Sequence, residues 1–510
     1  MPLSGDEGRG REPCVLAIDV GTTVVKAAIY STSGPVDAAH ANLRLESLHP
    51  TWAEMDMDEL WIRVRDTIRE LTSGHHAVHI GVVVVGAQGD GCWLVDAQGR
   101  PVRKGITWLD GRASDTVSRW QATGLDQEIF ALTGSVPYPG MAAPILCWLA
   151  DNEAQAIRDA AQMLYCKDWV RLRLTGELAT DPTEGSRLAT KVGTIQGNGD
   201  LMAMLDLQRC APLMPKVLPS DAIAGTVSSQ AATETGLEPG VPVLAGLLDV
   251  VASTLGSGVI DCGTAASILG TASIHGLLVG DARTPPLGVG FTVPYLLPST
   301  WLRILSPTAG TINLDWFLRQ WWVGSHPATA GVQAWDEIEQ AVMSIPPGAE
   351  GVTYHPYISP GGERAPFVES SAKAMFSGLG LNHSRAHLLR AVYEGLAFSA
   401  RDCYSWFPAL NGAVRLSGGM ARSRIWPQIL ADVLANPVEV PGGDEGGVRG
   451  SAMLGLTALS LFPTLQASAD SLVTVERIYQ PDLGHKAAYD LAFSNYKSVC
   501  EAMRPVWSRI

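Results

Sequence analysis

Three aspartates in this sequence stand where an apolar run gives way to polar, glycine-bearing sequence, and each offers chemistry: Asp19, Asp90 and Asp249. Asp19 closes the run Val15-Leu16-Ala17-Ile18 and is followed by Gly21-Thr22-Thr23, after which a second apolar run carries Lys26 near its start. The pattern predicts a β-hairpin with a polar tip. Such a tip suits phosphate. Gly21 lets the backbone approach an anion, its amides and the Thr22 and Thr23 hydroxyls donate, and Asp19 can hold a hydrated metal ion. The alternative is a hairpin whose Asp19 caps its own turn. The theme returns at Ala265-Ala266-Ser267-Ile268-Leu269, with Gly270-Thr271 as the tip and Ser273 opening the second run. Two such hairpins in separate halves imply a duplicated fold gripping one polyphosphate between its lobes, the first lobe ending near Ser257.

Asp90 lies in Gly86-Ala87-Gln88-Gly89-Asp90-Gly91, the exit of the β-branched run from Ile80 to Val85. Ligand contacts in α/β proteins gather at such strand exits. Gln88 can grip a hydroxyl as donor and acceptor and Asp90 as acceptor, or the segment is an ordinary turn. Trp108 and Asp110 suit a sugar, an aromatic face against C–H bonds and a carboxylate for hydroxyls; they suit equally a packed Trp and a salt-bridged Asp. Asp249 falls where a strand passes into a helix. There it is either an N-cap or a general base held ionised by the helix amides, and position alone leaves both open. Gly418-Gly419, between a strand and a helix, lets a flat ring lie on backbone and fits an adenine site, or makes a tight turn. The stretch from Gly442 to Gly447 reads as a flexible loop, and no G-x-x-x-x-G-K-[ST] occurs, which argues against a P-loop enzyme.

The elements that must position these residues are short buried strands and amphipathic helices. Apolar spacing predicts helices from about Asp58 to Leu71 and over 387–404, a mostly helical stretch from about Ala142 to Leu174, and a helix whose Ile425, Ile429, Leu430, Val433 and Leu434 share a face. At 510 residues the chain is too long for one core, so two large domains are expected. The balance of 37 basic against 51 acidic residues argues against nucleic acid or an anionic membrane as the main partner. No apolar run has membrane-spanning length, and residues 1–12 read as a loose polar tail rather than a signal peptide. Eight scattered cysteines with no C-x-x-C look like core residues of a reducing cytoplasm. His75-His76-Ala77-Val78-His79 lacks the glutamate of a helical zinc motif and is not taken as a metal site.

These residues resemble the FGGY family of carbohydrate kinases, relatives of actin, hexokinase and the Hsp70 ATPase. Asp19-x-Gly21-Thr22-Thr23-x-x-Lys26 is similar to that family's first phosphate hairpin, Gly270-Thr271 to its second, and Gly418-Gly419 with Ser423 to its adenosine segment. Ala374-x-Phe376-x-Gly378-Leu379, then after a spacer His387-Leu388-x-x-Ala391-Val392-Tyr393-Glu394, is similar to its second signature. Its first signature is matched by Gly140, Leu146, Trp148, Leu149, Asp151 and Asn152, and departed from at Ala142 and Ile145 near the acceptor pocket of relatives. The resemblance implies an α/β, two-lobed actin/hexokinase-like (ribonuclease H-like) duplicated fold with a central cleft, with domains 13–257 and 258–510. It further implies ATP and Mg²⁺, Asp249 as catalytic base, Asp19 and Asp249 at the metal, and Gln88, Gly89, Asp90, Trp108 and Asp110 around a small polyol or ketose. Gln88-Gly89-Asp90-Gly91, Cys166-Lys167-Asp168-Trp169, Ala179-Thr180-Asp181-Pro182 and the segment Tyr354 to Arg364 look most like erythritol kinases; L-xylulose kinases come next. Gly89-Asp90 replaces the Met-His pair of xylulokinases, which favours a polyol or an unusual ketose. A cytoplasmic enzyme is expected, with a homodimer allowed for. The reading of another class, a catalytically silent nucleotide or sugar sensor, is opposed by the retention of both hairpins and Asp249.

Overall fold

The computed structural model describes residues 12–47, 49–74, 78–194, 197–322, 332–359, 361–443, 445–507 and 509. The expected tail, but for its last residue, and His75-His76-Ala77 lie outside them. In the first half, β1 (Cys14–Val20), β2 (Val24–Ser31) and β3 (Gly34–Asn42) form an antiparallel meander. Helix α1 (Met57–Gly74) buries Leu60, Trp61, Val64, Ile68 and Leu71 on one stripe and leads into β4 (Ile80–Ala87), which lies parallel to β1. Two further strands, β5 (Ile223–Thr226) and β6 (Pro242–Leu244), complete the order β3-β2-β1-β4-β6-β5, and the short β7 (Leu247–Leu248) also pairs with β4. Strands β1 and β4 are covered on both faces, which is why they read as continuous apolar runs. Helices α2 (Cys166–Thr175) and α3 (Asp249–Gly256) belong to this half.

The second half repeats the plan. Strands β8 (Ala265–Leu269) and β9 (Ser273–Val279) make the hairpin, β10 (Phe291–Pro294) and β11 (Trp301–Leu305) extend it, and β12 (Val414–Gly418), β13 (Val438–Pro441) and β14 (Val475–Tyr479) follow. Their order is β10-β11-β9-β8-β12-β13-β14, with β12 parallel to β8 and β13 parallel to β12. A hairpin flanked by parallel strands thus occurs twice, as a duplicated fold requires. Helix α4 (Arg385–Trp406) starts at the cap Ser384, and α5 (Trp426–Leu434) follows the Gly418-Gly419 turn. The expected Gly442 to Gly447 loop ends early: Gly446 and Gly447 are the first turn of α6 (Gly446–Ala458).

Helix α6 joins the halves. A methyl group on Gly256 of α3 would fall 1.9 Å from the Gly446 carbonyl oxygen, and one on Gly450 of α6 would fall 1.9 Å from that of Ala252. Only glycines allow this backbone-to-backbone crossing. Gly455 packs likewise on Val15 of β1. Among the described residues no helix is long and apolar enough to cross a membrane, and all eight cysteines are free thiols, six of them buried.

Candidate active site

Strand register brings the first set of polar residues together. Asp19 pairs with Gly86 and Val20 with Ala87, while Leu247 and Leu248 pair with Gly86 and Ala87 on the other side of β4. Asp19, Gln88 and Asp249 therefore sit at the carboxyl ends of three adjacent strands, where open α/β sheets place ligands. The Gln88 amide donates through Nε2 to the Gly21 carbonyl at 3.4 Å and accepts at Oε1 from the Thr22 hydroxyl at 3.1 Å. The Trp108 indole N–H donates to that same hydroxyl at 3.0 Å. Gln88 and Trp108 thus steady the first hairpin's tip.

Burial dominates the electrostatics. It raises the Asp19 carboxyl to about 6, Lys26 opposing and Glu445 adding to the shift. It raises Asp249 to about 7, helped by the charge of Asp19 and opposed by a 2.6 Å hydrogen bond from the Val250 N–H. Asp19 Oδ1 is buried without a hydrogen-bond partner. Gly447 approaches so closely that a Cβ there would lie 2.3 Å from Asp19 Oδ2, which puts the N-terminus of α6 against this carboxylate. Lys26, opposite Asp19 in the hairpin, is paired with Glu445 at 2.6 Å.

A buried polar pocket adjoins Asp249. Asp90, at φ 59°, meets Arg187 Nε at 2.9 Å and accepts the Tyr138 hydroxyl at 2.6 Å. Arg187 also pairs with Glu184 at 2.6 Å, and Glu184 accepts the Asp90 N–H at 3.3 Å. Burial opposes the Arg187 charge and the two carboxylates more than restore it; burial drives the Glu184 carboxyl upward. Gly89 has no room for a side chain: a Cβ there would be 2.1 Å from Leu248 Cδ1 and 2.8 Å from Glu184 Oε1. Beneath lies a second buried network in which Asp181 accepts the Thr183 hydroxyl and pairs with Lys167, and Thr183 in turn accepts the Leu248 N–H beside Asp249.

The second hairpin's tip is tied to the start of the following helix by Gly310 N–H to Thr271 O at 2.7 Å and Thr311 N–H to Gly270 O at 2.9 Å. Leu269 pairs with Gly418, so Gly270-Thr271 and Gly418-Gly419 are neighbours. Gly418 and Gly419 line a cavity of about 180 Å³ with Lys26, Arg422, Gly446 and Arg477. Residues of both halves, including the first hairpin's lysine, face one space.

Two expected contact residues are otherwise engaged. Asp110 is the salt-bridged aspartate of the second reading: its oxygens accept the Ala53 N–H at 2.7 Å and the Arg112 Nε at 2.8 Å. Ser423 donates to Glu339 at 2.7 Å and accepts the Trp426 N–H at 3.0 Å, so its hydroxyl caps α5. Sequence reasoning passed over Tyr138, Glu184, Arg187 and Glu445. The spacing Glu184 to Arg187, one helical turn after a noted stretch, was the available signal.

Asp19 fits a divalent cation: it offers a buried, unpartnered oxygen whose charge nothing fully offsets. Among the described residues no group of three or more His, Cys, Asp or Glu is disposed around a metal.

Comparison with known proteins agrees with this geometry. The model of the FGGY family of carbohydrate kinases, N-terminal domain, matches residues 14–256, and that of the C-terminal domain matches residues 265–459. The chain is 30% identical to an erythritol kinase of Brucella abortus, covering 98% of both chains. It is 30% identical to an L-xylulose/3-keto-L-gulonate kinase of Escherichia coli over 97% of this chain and 98% of that one. A ligand-bound xylulose kinase from Lactobacillus acidophilus shares its fold, with a TM-score of 0.89 over 98% of this chain and 99% of that one at 23% identity. The chain folds as two sheets built on one plan, joined by a glycine-lined helix crossing, and with both family domains matched in order it belongs to the FGGY family of carbohydrate kinases.

Proposed function

We propose that this carbohydrate kinase transfers the γ-phosphoryl group of ATP to a terminal hydroxyl of a small neutral polyol, erythritol first. The observation that carries the acceptor class is Asp90, a buried carboxylate held between Arg187 and Tyr138 and near enough to Asp249 for its charge to be felt there. Asp90 can accept a hydrogen bond from a hydroxyl, whereas an acceptor bearing its own carboxylate would meet the Asp90 carboxylate. The identity with an erythritol kinase supports the same choice.

In this reading Asp249 accepts the proton of the attacking hydroxyl, and a carboxyl raised to about 7 by burial is well matched to that work near neutral pH. Gly21, Thr22, Thr23, Gly270 and Thr271 hold the phosphates. Lys26 exchanges Glu445 for them. Gly418 and Gly419 bound the adenosine, with Ser423 shaping their turn. Gln88 and Trp108 hold the tip in place and Asp90 orients the acceptor. Asp110 acts at one remove, by fixing Arg112 behind Trp52. Asp19 and Asp249 would hold Mg²⁺, which would supply positive charge against the phosphates.

An L-xylulose or other ketopentose kinase is the second reading, favoured by the Escherichia coli relative. Initial rates with erythritol and with ketopentoses decide between them: a larger kcat/KM for a ketopentose removes the polyol assignment.

A further inference from the structure

A single guanidinium of the second half is linked, through one neighbour each, to both hairpins and to Asp90. Arg364 lies before the cis Ala365-Pro366 bond, in the segment that joins two short paired strands, Thr353–His355 and Met375–Ser377. Its backbone is fixed by Glu363, a buried carboxylate on whose Oε1 the N–H groups of Thr308, Arg364 and Ala365 converge at 2.8, 2.8 and 3.3 Å. Its side chain donates from Nε to the Ser306 carbonyl and from one Nη to the Ser306 hydroxyl, both at 2.9 Å. That hydroxyl donates to the carbonyl of Ser273, the first residue after the second hairpin's tip region, at 3.0 Å.

The outer end of the guanidinium lies across two rings of the first half, 5.7 Å from the Trp108 centroid and 5.1 Å from that of Tyr138. Both distances are within cation–π range. Each ring ends in a polar atom at a functional place. Trp108 donates to Thr22 in the first hairpin, and Tyr138 donates to Asp90 in the acceptor pocket. One cation therefore connects the second hairpin, the first hairpin and the acceptor carboxylate, and it does so across the two halves of the chain.

Resting on the kinase reading above, we propose that Arg364 is a positioning residue that holds Tyr138 and Trp108 in line across the two halves, and so sets a bound acceptor for phosphoryl transfer more than it serves transfer to water. The planar fork is what the arrangement uses: lysine supplies the charge but neither the pair of bonds to Ser306 nor a flat face for the rings.

The test compares wild type, Arg364→Ala and Arg364→Lys for ADP release with Mg-ATP, with and without erythritol and ketopentoses. Thermal melting of each variant separates folding from alignment. The expected result is a fall of about 10- to 100-fold in acceptor kcat/KM for Arg364→Ala, larger than any fall in the acceptor-free rate, with the lysine variant closer to alanine than to wild type. Adding Tyr138→Phe to Arg364→Ala should cost less than the two single effects combined, because Arg364 acts through that ring. Equal falls in both rates, or full additivity with Tyr138→Phe, overturn the proposal and leave the kinase reading intact. A wild-type protein silent on every acceptor overturns both.

Discussion

Replacing Asp249 by Asn removes a charge and keeps the shape, since the amide oxygen can still accept the Val250 N–H bond made now at 2.6 Å. A positioned base contributes about 10²- to 10⁴-fold, so turnover with a competent acceptor should fall by that factor while Mg-ATP binding survives. The same substitution should stabilise the nucleotide-free protein. Burial and the Asp19 charge lift Asp249 from 3.8 to about 7, and burial lifts Asp19 from 3.8 to about 6. Both folded values exceed the unfolded one, so between about pH 4 and about pH 7 the folded chain binds more protons, and stability falls as pH rises through that window. A three-unit shift corresponds to about 4 kcal/mol, an upper limit because the two carboxyls titrate as a pair and water reaches the half-buried Asp249. We expect about 1–2 kcal/mol to be recovered at about pH 8, a Tm rise of roughly 1–4 °C in EDTA, and little change at about pH 5. Calorimetry at the two pH values, paired with coupled ADP-release assays on one preparation, reads both effects. Retained turnover with a Tm unchanged or lowered at the higher pH would refute the assignment and return Asp249 to an N-cap.

Asp90→Ala should raise acceptor KM about 10- to 100-fold by deleting a charged hydrogen-bond acceptor while ATP KM changes little; equal rises in both remove it from the pocket. Gly447→Ala places a methyl 2.8 Å from Asp19 Cγ, so melting temperature should drop and Mg-ATP KM should rise, with overpacking costing about 1–3 kcal/mol; a neutral phenotype would show that α6 does not press on Asp19. Asp110→Asn should cost about 3 kcal/mol in urea unfolding, near the low end for a broken buried pair because Glu54 still holds Arg112 at 2.6 Å, and should leave acceptor KM unchanged; a KM effect without a stability loss would restore Asp110 to the pocket.

What the sequence disclosed and what it withheld divide along a physical line. The hairpin at Gly21 and its echo at Gly270 were legible because turn chemistry is local: a strand, a glycine with hydroxyls, and a strand suffice. Strands β1 and β4 were legible because burial on both faces leaves no polar residue to interrupt them. Tyr138 and Arg187 were not legible, because their meaning lies in reaching Asp90 from 48 and 97 residues away, a long-range arrangement that no window reveals. Asp110 and Ser423 have the right residue types at the right spacing, yet their atoms are used by Arg112 and by the first turn of α5. Gly446 and Gly447 looked like loop because glycine is a poor helix former; Gly447 is needed in α6 because a Cβ there would lie 2.3 Å from Asp19 Oδ2, and no local pattern shows that approach.

The central claim is that phosphoryl transfer depends on a small neutral polyol. Acceptor-dependent ADP release with Mg-ATP, measured across tetritols, pentitols, glycerol, ketopentoses and aldonates, tests it most directly. Erythritol should give the highest kcat/KM, and aldonates should fall below every neutral acceptor because of the Asp90 carboxylate. Preference for a ketopentose or an aldonate, or ADP release that no acceptor accelerates, would contradict it.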